Sequence, residues 1–264
     1  MLKYIKIGSI LIVILSIFNG CKVDKEKVSN NKKIKKPELF YFLNKNTNNI
    51  NKYPNLDKYN IIVIDLFDTT KKEIEDLKNK NKEVFCYFSA GSYENWREDK
   101  NKFNKEDLGN ELEGWNGENW LDIRNKNIYS IMKDRLDIAK NKGCNGVDLD
   151  NIDGYTNETG FNLSYKDQLK YNKKIAEYAK LIGLKTILKN DLSQLNDLKN
   201  YYDYAVNESC HEYNECNLYK NWLQNKKYVF NIEYSKRNNL YKNEYFKTYL
   251  ANQDLDGKFY KKIN

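Results

Sequence analysis

Acidic and amide side chains end most of the short apolar runs in this sequence. The run Gly146–Asp150 carries two acids at alternate positions, Asp148 and Asp150. Glu208 directly follows another run, and Glu233 ends a third. Such groups donate or accept protons and bind ammonium or hydroxyl groups. The polar residues at these ends are Asp65, Asp68, Ser89, Asp148, Asp150, Asn151, Asp153, Lys189, Asn190, Asp191, Asn207, Glu208, Glu233 and Tyr234. Carboxylates are therefore the first candidates for catalysis.

Eight runs of strand length alternate with longer amphipathic segments from residue 38 onward. The runs are 39–43, 61–66, 84–89, 146–150, 186–190, 202–207, 228–233 and 258–263, and the helix-like segments are 71–80, 128–142, 165–182 and 192–200. This alternation predicts repeated β/α units on a parallel sheet. Eight units in about 225 residues match an α/β (β/α)8 TIM-type barrel, whose catalytic face lies at the carboxyl ends of its strands.

The amino-acid composition excludes several kinds of protein and of functional site. The 264 residues include 45 Lys and Arg against 37 Asp and Glu, for a net charge of +8, and 22 Tyr, 11 Phe and 4 Trp supply core material. Those aromatic residues exclude a wholly disordered chain. The single histidine, His211, excludes His-rich metal sites, and no Ser or Cys elbow accompanies it. The sequence indicates no metal, no cofactor and no nucleic-acid partner.

The first residues have the pattern of an export signal. Lys3 and Lys6 precede an apolar run over residues 7–18, which is followed by Asn, Gly and Cys21 and resembles a bacterial lipobox. We predict a lipoprotein signal peptide over residues 1–20, lipidation at Cys21, a flexible tether over 21–37 and one domain over 38–264. The protein is then exported and anchored to a membrane of the cell envelope or surface. Ordinary cleavage, which would leave Cys21 as a thiol on a secreted protein, is the alternative.

Five motifs in fixed order resemble a known enzyme family. They are residues 86–97 (CYFSAGSYENWR), 114–124 (GWNGENWLDIR), 146–155 (GVDLDNIDGY), 188–191 (LKND) and 206–210 (VNESC). Together they resemble glycoside hydrolase family 114, the endo-α-1,4-polygalactosaminidases, over nearly all of residues 60–234. The resemblance implies a (β/α)8 barrel that cleaves internal α-1,4 linkages in galactosamine-rich exopolysaccharide.

The resemblance also implies a catalytic pair. It places the Asp of the fourth strand end at Asp150 and the Glu of the sixth at Glu208, and we expect these to act as nucleophile and general acid/base. A carboxyl separation of about 5 Å would favour retention of configuration, and roughly 6.5 to 9.5 Å would favour inversion. The sequence leaves both outcomes open.

Neighbouring residues are predicted to support this pair or bind sugar. Asp148 shares a strand face with Asp150 and is expected to point into the barrel as a supporting acid. Lys189 is expected to keep the carboxylates ionised, while Asp153 is interpreted either as a sugar ligand or as part of a turn. The predicted substrate-binding set is Asp65, Tyr87, Ser89, Tyr93, Asp148, Asn151, Asp153, Tyr155, Lys189, Asn190, Glu233 and Tyr234.

A deacetylated galactosamine polymer is cationic, so local acids can bind it although the chain is basic. The acids expected to pair with its ammonium groups are Asp65, Asp68, Asp153 and Glu233. Aromatic residues near the motifs are expected either to stack on sugar rings or to pack in the core. They are Tyr87, Tyr93, Trp96, Trp115, Trp120, Tyr155 and Tyr234.

Four cysteines remain after Cys21. Cys210 and Cys216 bracket a short loop, and in an oxidising compartment we predict a disulfide between them. A zinc site formed by these two and His211 is a weaker alternative that lacks a clear fourth ligand. Cys86 and Cys144 either pair across neighbouring strands or remain as buried thiols.

Two other functions fit parts of this pattern. A barrel glycosidase of different sugar specificity would keep both acids. A non-catalytic glycan-binding lipoprotein would keep the aromatic residues but would not need both Asp150 and Glu208.

Overall fold

The computed structural model describes residues 36–43 and 55–264. The predicted signal peptide, Cys21 and residues 21–35 of the predicted tether lie outside the described residues. Within the described part, no helix has both the length and the apolar character needed to cross a bilayer.

The main sheet of the described chain has nine strands, and their order in the sheet is their order along the chain. Its strands are β1 Leu39–Phe42, β2 Ile61–Asp65, β3 Glu83–Ser89, β7 Gly146–Asp150, β8 Lys185–Lys189, β9 Tyr204–Glu208, β10 Val229–Glu233, β11 Phe246–Ala251 and β12 Tyr260–Lys262. All neighbours pair in parallel except β11 and β12. The eight parallel strands curl into a nearly closed barrel, which confirms the predicted TIM-type fold.

Helices follow most of the strands and cover the outside of the barrel. They are α1 Lys71–Asn79, α2 Lys126–Lys142, α3 Tyr165–Leu181, α4 Leu195–Leu198 and α5 Lys220–Gln224. Their ends follow local capping rules: Thr70 with Glu73 and Ser164 with Asp167 form capping boxes, and α2 ends at Gly143 with φ of 93°. Strands such as β2 are buried along their whole length, because the barrel interior covers one face and the helices cover the other.

The prediction of the last parallel strand was wrong. The eighth parallel strand is β11, whereas the predicted run 258–263 contains β12, which lies antiparallel beside β11. Lys247 and Thr248 interrupt the apolar character of β11, although Thr248 is buried inside the fold. The seam with β1 is closed by other contacts: the ring centroids of Phe40 and Tyr260 lie 4.9 Å apart, and the Leu43 N–H donates to the Leu255 carbonyl at 2.9 Å.

A small antiparallel sheet is inserted between β3 and α2. It consists of β4 Ser92–Glu94, β5 Leu108–Glu111 and β6 Glu118–Leu121, with β6 in the middle. It is tied to the carboxyl end of the barrel, because Gly91 donates its N–H to the Asp150 carbonyl at 3.2 Å and accepts the Leu121 N–H at 3.0 Å. The insertion therefore lies beside the catalytic face predicted from the sequence.

Two disulfides cross-link the described chain. Cys86 on β3 is joined to Cys144, which precedes the neighbouring strand β7, with Cα atoms 6.1 Å apart. The sequence left open whether these two cysteines pair or remain as buried thiols, and in the structure they form a disulfide. The second disulfide joins Cys210 to Cys216 just beyond β9, with Cα atoms 4.9 Å apart.

Candidate active site

Three charged side chains meet at the carboxyl ends of three adjacent strands. Asp150, Lys189 and Glu208 are the last residues of β7, β8 and β9, which are neighbours in the sheet. The Lys189 Nζ lies 3.1 Å from Asp150 Oδ1 and 2.8 Å from Glu208 Oε2, so these two oxygens lie within about 5.9 Å of each other. Strand order alone thus brings together two acids that are 58 residues apart in the chain.

Tyrosines bind the remaining oxygen of each acid. The Tyr87 hydroxyl donates to Asp150 Oδ2 at 2.8 Å, and the Tyr234 hydroxyl donates to Glu208 Oε1. Burial by itself would lower the pKa of Lys189, but the negative charges of Asp150 and Glu208 raise it well above its usual value. Lys189 therefore stays charged, and each acid is held in place by one cation and one phenol.

Asp148 lies beneath this group, inside the barrel. It is fully buried, and its Oδ2 accepts a hydrogen bond from the Tyr41 hydroxyl at 2.6 Å. Burial raises the pKa of Asp148 to about 7, against the lowering effect of Lys189. Tyr41 was not among the residues predicted from the sequence, although a tyrosine within the apolar strand β1 was the available signal. The hydrogen bond from Tyr41 holds the Asp148 carboxyl group beneath Asp150, which is compatible with the supporting role predicted for Asp148.

Asp153 and Asp191 form a second acidic pair next to Asp150 and Glu208. Asp191 is buried; its Oδ1 accepts from the Tyr155 hydroxyl at 3.1 Å and its Oδ2 from Asn172 Nδ2 at 2.9 Å. Burial, followed by the charge of Asp153, raises the pKa of Asp191 to about 8. Burial and the charge of Asp150 raise the pKa of Asp153 to about 6. Both environments oppose negative charge, so a cation bound here would be stabilised.

The raised pKa of Asp191 makes a prediction about stability. A carboxyl group whose pKa rises on folding stabilises the fold fully below its unfolded pKa of 3.8, and this contribution is lost as the pH rises towards 8. We expect Asp191→Asn, which can keep hydrogen bonds to both partners, to be more stable than the wild type at pH 8 by on the order of 2 kcal/mol. At pH 4 the two should be nearly equal.

Urea unfolding at the two pH values measures this difference. Asp254→Asn, at an exposed acid, is the matched control and should show no such dependence. A gain in stability that is equal at both pH values would contradict the explanation by ionisation.

Three of the predicted sugar ligands form hydrogen bonds within the protein around Asp150 and Glu208. Asn151 Nδ2 donates to Ser89 Oγ at 2.9 Å and to Ser92 Oγ at 3.2 Å, and Ser89 is fully buried. Asn190 Oδ1 accepts the backbone N–H of Glu208 at 3.1 Å. Ser89, Asn151 and Asn190 therefore fix the backbone and side chains around the pair.

The substrate contact predicted for Asp65 does not fit its surroundings. Arg97 donates to Oδ1 at 3.1 Å and to Oδ2 at 2.8 Å, and the N–H groups of Phe67 and Asp68 also bind Oδ1. The carboxylate is buried under these four donors. We correct its role to holding Arg97 and the turn after β2. Asp68, by contrast, is exposed.

Glu233 needs the same correction. It is fully buried, its Oε1 accepts the backbone N–H of His211 at 2.9 Å and Asn231 Nδ2 at 2.8 Å, and its Oε2 faces Arg237. The Tyr241 N–H donates to His211 Nε2 at 2.8 Å, so His211 Nδ1 carries the proton that it donates to Glu233. Both residues organise the loop after β9 and leave no oxygen of Glu233 for a sugar.

The Cys210–Cys216 disulfide closes that loop directly after Glu208. Cys210, His211 and Cys216 lie within 4.8 Å of one another. Both sulfurs are already bonded to each other, so this cluster lacks the thiolates that zinc requires. The zinc alternative is therefore incompatible with the oxidised pair.

We expect loss of this disulfide to destabilise the fold moderately. Cys216→Ser opens a loop of six-residue separation and should lower the free energy of unfolding by about 2 kcal/mol, because the unfolded chain gains conformational freedom. Thermal unfolding measures the effect, and dithiothreitol should destabilise the wild type in the same direction. Equal melting temperatures for variant and wild type would contradict the prediction.

The aromatic candidates divide into exposed and packed residues. Trp96 and Trp115 on the insertion are 51% and 59% exposed, whereas Trp120 is buried. Tyr93 is half-buried, with its ring 5.4 Å from that of Phe103. Among these four, Trp96 and Trp115 have the exposure that stacking on a sugar ring requires.

Glu118 on β6 was not among the acids predicted from the sequence. Its side chain is nearly buried, and Ser92 Oγ donates to its Oε2 at 2.9 Å. Burial first, then the charge of Glu94, raises its pKa to about 7, and the charge of Asp150 acts in the same direction. The available signal was its place in the motif at residues 114–124, but this motif lies outside the eight predicted strands.

Comparisons with known proteins show the family of this chain. Residues 25–262 match the model of glycoside hydrolase family GH114. Among curated protein sequences, none matches the chain significantly. A solved structure of Ega3 from Aspergillus fumigatus, in complex with galactosamine, is 36% identical, covers 86% of this chain and 95% of its own, and superposes with a TM-score of 0.78.

A more distant structure shares the fold. The glycoside hydrolase domain of PelA from Pseudomonas aeruginosa is 12% identical, with a TM-score of 0.63 over 83% of this chain and 95% of that domain. At that identity the likeness shows the barrel architecture alone.

Proposed function

Because the chain belongs to glycoside hydrolase family GH114, we propose that it hydrolyses internal α-1,4 linkages of galactosamine-rich exopolysaccharide with Asp150 and Glu208 as its catalytic pair. The observation that carries the proposal is the shared contact of both carboxylates with Lys189 Nζ, at 3.1 and 2.8 Å. Cleavage of a glycosidic bond needs two carboxyl groups that flank the bond. The shared contact with Lys189 brings the carboxyl groups of Asp150 and Glu208 close enough to flank one bond.

The spacing supports a retaining mechanism. Retaining enzymes hold their carboxyl groups about 5 to 5.5 Å apart, and inverting enzymes need roughly 6.5 to 9.5 Å to admit a water molecule. Lys189 Nζ contacts one oxygen of each acid, so these two oxygens lie within about 5.9 Å of each other, which favours the shorter of the two spacings. We therefore assign the nucleophile to Asp150, the more buried of the two acids, and the general acid/base to Glu208.

The reaction then proceeds in two displacements. In the first, a carboxylate oxygen of Asp150 bonds to the anomeric carbon while the bond to the leaving oxygen breaks, and Glu208 gives its proton to that oxygen. In the second, Glu208 takes a proton from water, whose oxygen displaces Asp150 from the same carbon. Lys189 and Tyr87 hold the Asp150 carboxylate in position for both steps.

The substrate assignment rests on charge and on the relative with a bound sugar. Asp153 lies beside Asp150, where burial raises its pKa to about 6, so an ammonium group bound nearby would favour its ionised form. Ega3, at 36% identity, was solved with galactosamine. We include in the proposal an exported, lipid-anchored location through Cys21, which would place the enzyme where exopolysaccharide lies.

Reducing-end release tests the activity. Wild-type protein incubated with partially deacetylated α-1,4-galactosaminan should release oligomers, and NMR of the first products should show the α-anomer. Early β-anomer would replace the retaining mechanism by an inverting one. Binding of the polymer without release would favour a non-catalytic glycan-binding protein, and release from another glycan alone would overturn the sugar specificity.

A further inference from the structure

His211 and Glu233 join the ends of two adjacent strands. Strands β9 and β10 are neighbours, with Glu208 in register with Ile232, and His211 lies three residues beyond Glu208. The His211 ring donates from Nδ1 to Glu233 Oε1 at 2.8 Å, and Glu233 is fully buried. Tyr234 directly follows Glu233, and its hydroxyl donates to Glu208. The contact between His211 and Glu233 therefore fixes the strand end that carries Glu208 against the residue that binds it.

The other nitrogen of the His211 ring holds the segment that follows Tyr234. Residues 235–242 belong to no helix or strand of the described structure. Their backbone is bound at Tyr241, whose N–H donates to His211 Nε2 at 2.8 Å and whose carbonyl accepts from Asn264 Nδ2 at 2.8 Å. The hydrogen bond to His211 requires a lone pair on Nε2, so it exists only with the neutral imidazole. The protonation of one ring therefore determines how this segment is held.

The surroundings of the ring can compensate a second proton. Glu233 of β10 lies 2.8 Å from Nδ1, and Arg237 of the segment lies behind that acid, with its Nε 3.3 Å from Glu233 Oε2. Glu212, in the same loop as His211, pairs with Arg237 at the surface, where an ion pair contributes little. From β11, Phe246 presents an uncharged ring with its centroid 6.3 Å from that of His211. The buried carboxylate of Glu233 therefore favours a positive charge on the imidazole.

We propose that His211 is a positioning residue for Glu208: as a neutral imidazole it holds residues 235–242 in place, and its protonation releases them. The protonated ring carries an N–H at Nε2 that faces the N–H of Tyr241, and two donors cannot share a hydrogen bond. Glu233 attracts the cationic ring, so the contact that opens is the one with Tyr241. Histidine side chains change charge between neutral and mildly acidic pH.

The release reaches the proposed general acid through Tyr234. This residue leads from β10 into the segment, and its hydroxyl donates to Glu208 Oε1. When the segment is released, Tyr234 is held less firmly, and Glu208 loses a donor that orients its carboxyl group. We expect hydrolysis to fall at acidic pH for this reason, in addition to the protonation of Asp150. This consequence for catalysis rests on the proposed function, whereas the release of the segment does not.

NMR and hydrogen exchange test the release. Because the chain contains one histidine, a single ring signal reports the protonation of His211. The protection of the Tyr241 amide, corrected for the intrinsic effect of pH on exchange, should fall about tenfold as that signal titrates. His211→Gln does not ionise and retains an acceptor for the Tyr241 N–H, so its protection should stay constant over the same pH range. Lys242→Gln removes an exposed charge from the segment and should behave like the wild type.

Three outcomes would overturn the proposal: a His211 ring that stays neutral wherever the protein is folded, a Tyr241 amide whose protection is constant while the ring titrates, or a pH-dependent protection that persists in His211→Gln. If this variant does not fold, His211→Asn serves, because it keeps a donor for Glu233 but withdraws the acceptor. Its Tyr241 amide should be poorly protected at every pH.

Hydrolysis of galactosaminan is measured in parallel over the same pH range. His211→Gln should lose less of its activity at acidic pH than the wild type, and an equal loss in both would remove the positioning role of His211. Release of the segment without any hydrolysis would reject the proposed function alone. Hydrolysis with a Tyr241 amide that stays protected would reject this inference alone.

Discussion

Replacing Glu208 by Gln is expected to reduce the hydrolysis of galactosaminan by about a thousandfold, with the fold unchanged. The amide keeps the size of the side chain and an oxygen that accepts from Tyr234 or Lys189, but it has no proton to give to the leaving oxygen. Reducing-end release measures the loss, and circular dichroism checks the fold. Glu212→Gln, at an exposed acid four residues further along, is the matched control and should retain full activity.

Azide separates the roles of the two acids. With Glu208→Ala, azide can attack the sugar bound to Asp150 and should give a glycosyl azide of retained configuration. With Asp150→Ala, azide occupies the place of the missing nucleophile and should give the inverted product. The opposite pairing of variants and products would exchange the two assignments. An active Glu208→Gln variant would remove Glu208 from catalysis.

Replacing Lys189 by Met is expected to lower kcat/KM about a hundredfold and to move the acidic limb of its pH profile to higher pH. Lys189 is the cation shared by Asp150 and Glu208, and its charge also lowers the pKa values of Asp148 and Asp153. Without the charge of Lys189, the pKa of Asp148 rises above about 7. The neighbouring acids together then hold an additional proton at neutral pH.

The full pH profile distinguishes this effect from simple loss of packing. Lys189→Arg retains the charge and should keep the acidic limb close to its wild-type position even if the rate falls. Lys180→Met, at an exposed lysine of α3, controls for the change in net charge. A Lys189→Met variant that loses activity equally at every pH would reject the electrostatic role.

The sequence was sufficient to predict the barrel and the meeting of Asp150, Lys189 and Glu208. Each of these residues lies at or next to the end of a run with a strong strand pattern, and consecutive β/α units place those ends side by side. The same reasoning assigned Asp65 and Glu233 to the substrate, because it locates strand ends but not the partners that reach them. Arg97 lies on a long loop and His211 follows another strand, so no local pattern indicates that they occupy those acids.

The position of β11 and the place of Glu118 opposite Glu94 could not be predicted from the sequence, for a related reason. In β11, tertiary packing buries a threonine within a segment that contains a lysine, so the apolar pattern fails. Glu118 faces Glu94 only because β4 and β6 pair in one register, and that register depends on contacts between segments more than twenty residues apart.

The division of the site between two sheets separates two properties of the enzyme. Asp150 and Glu208 end strands of the barrel, whereas the exposed rings of Trp96 and Trp115 lie on the insertion that carries the small sheet over residues 92–121. Under the proposed function, bond cleavage therefore depends on the barrel, and stacking on sugar rings depends on the insertion. Exchange of that insertion would change substrate recognition while the barrel continues to hold the two acids.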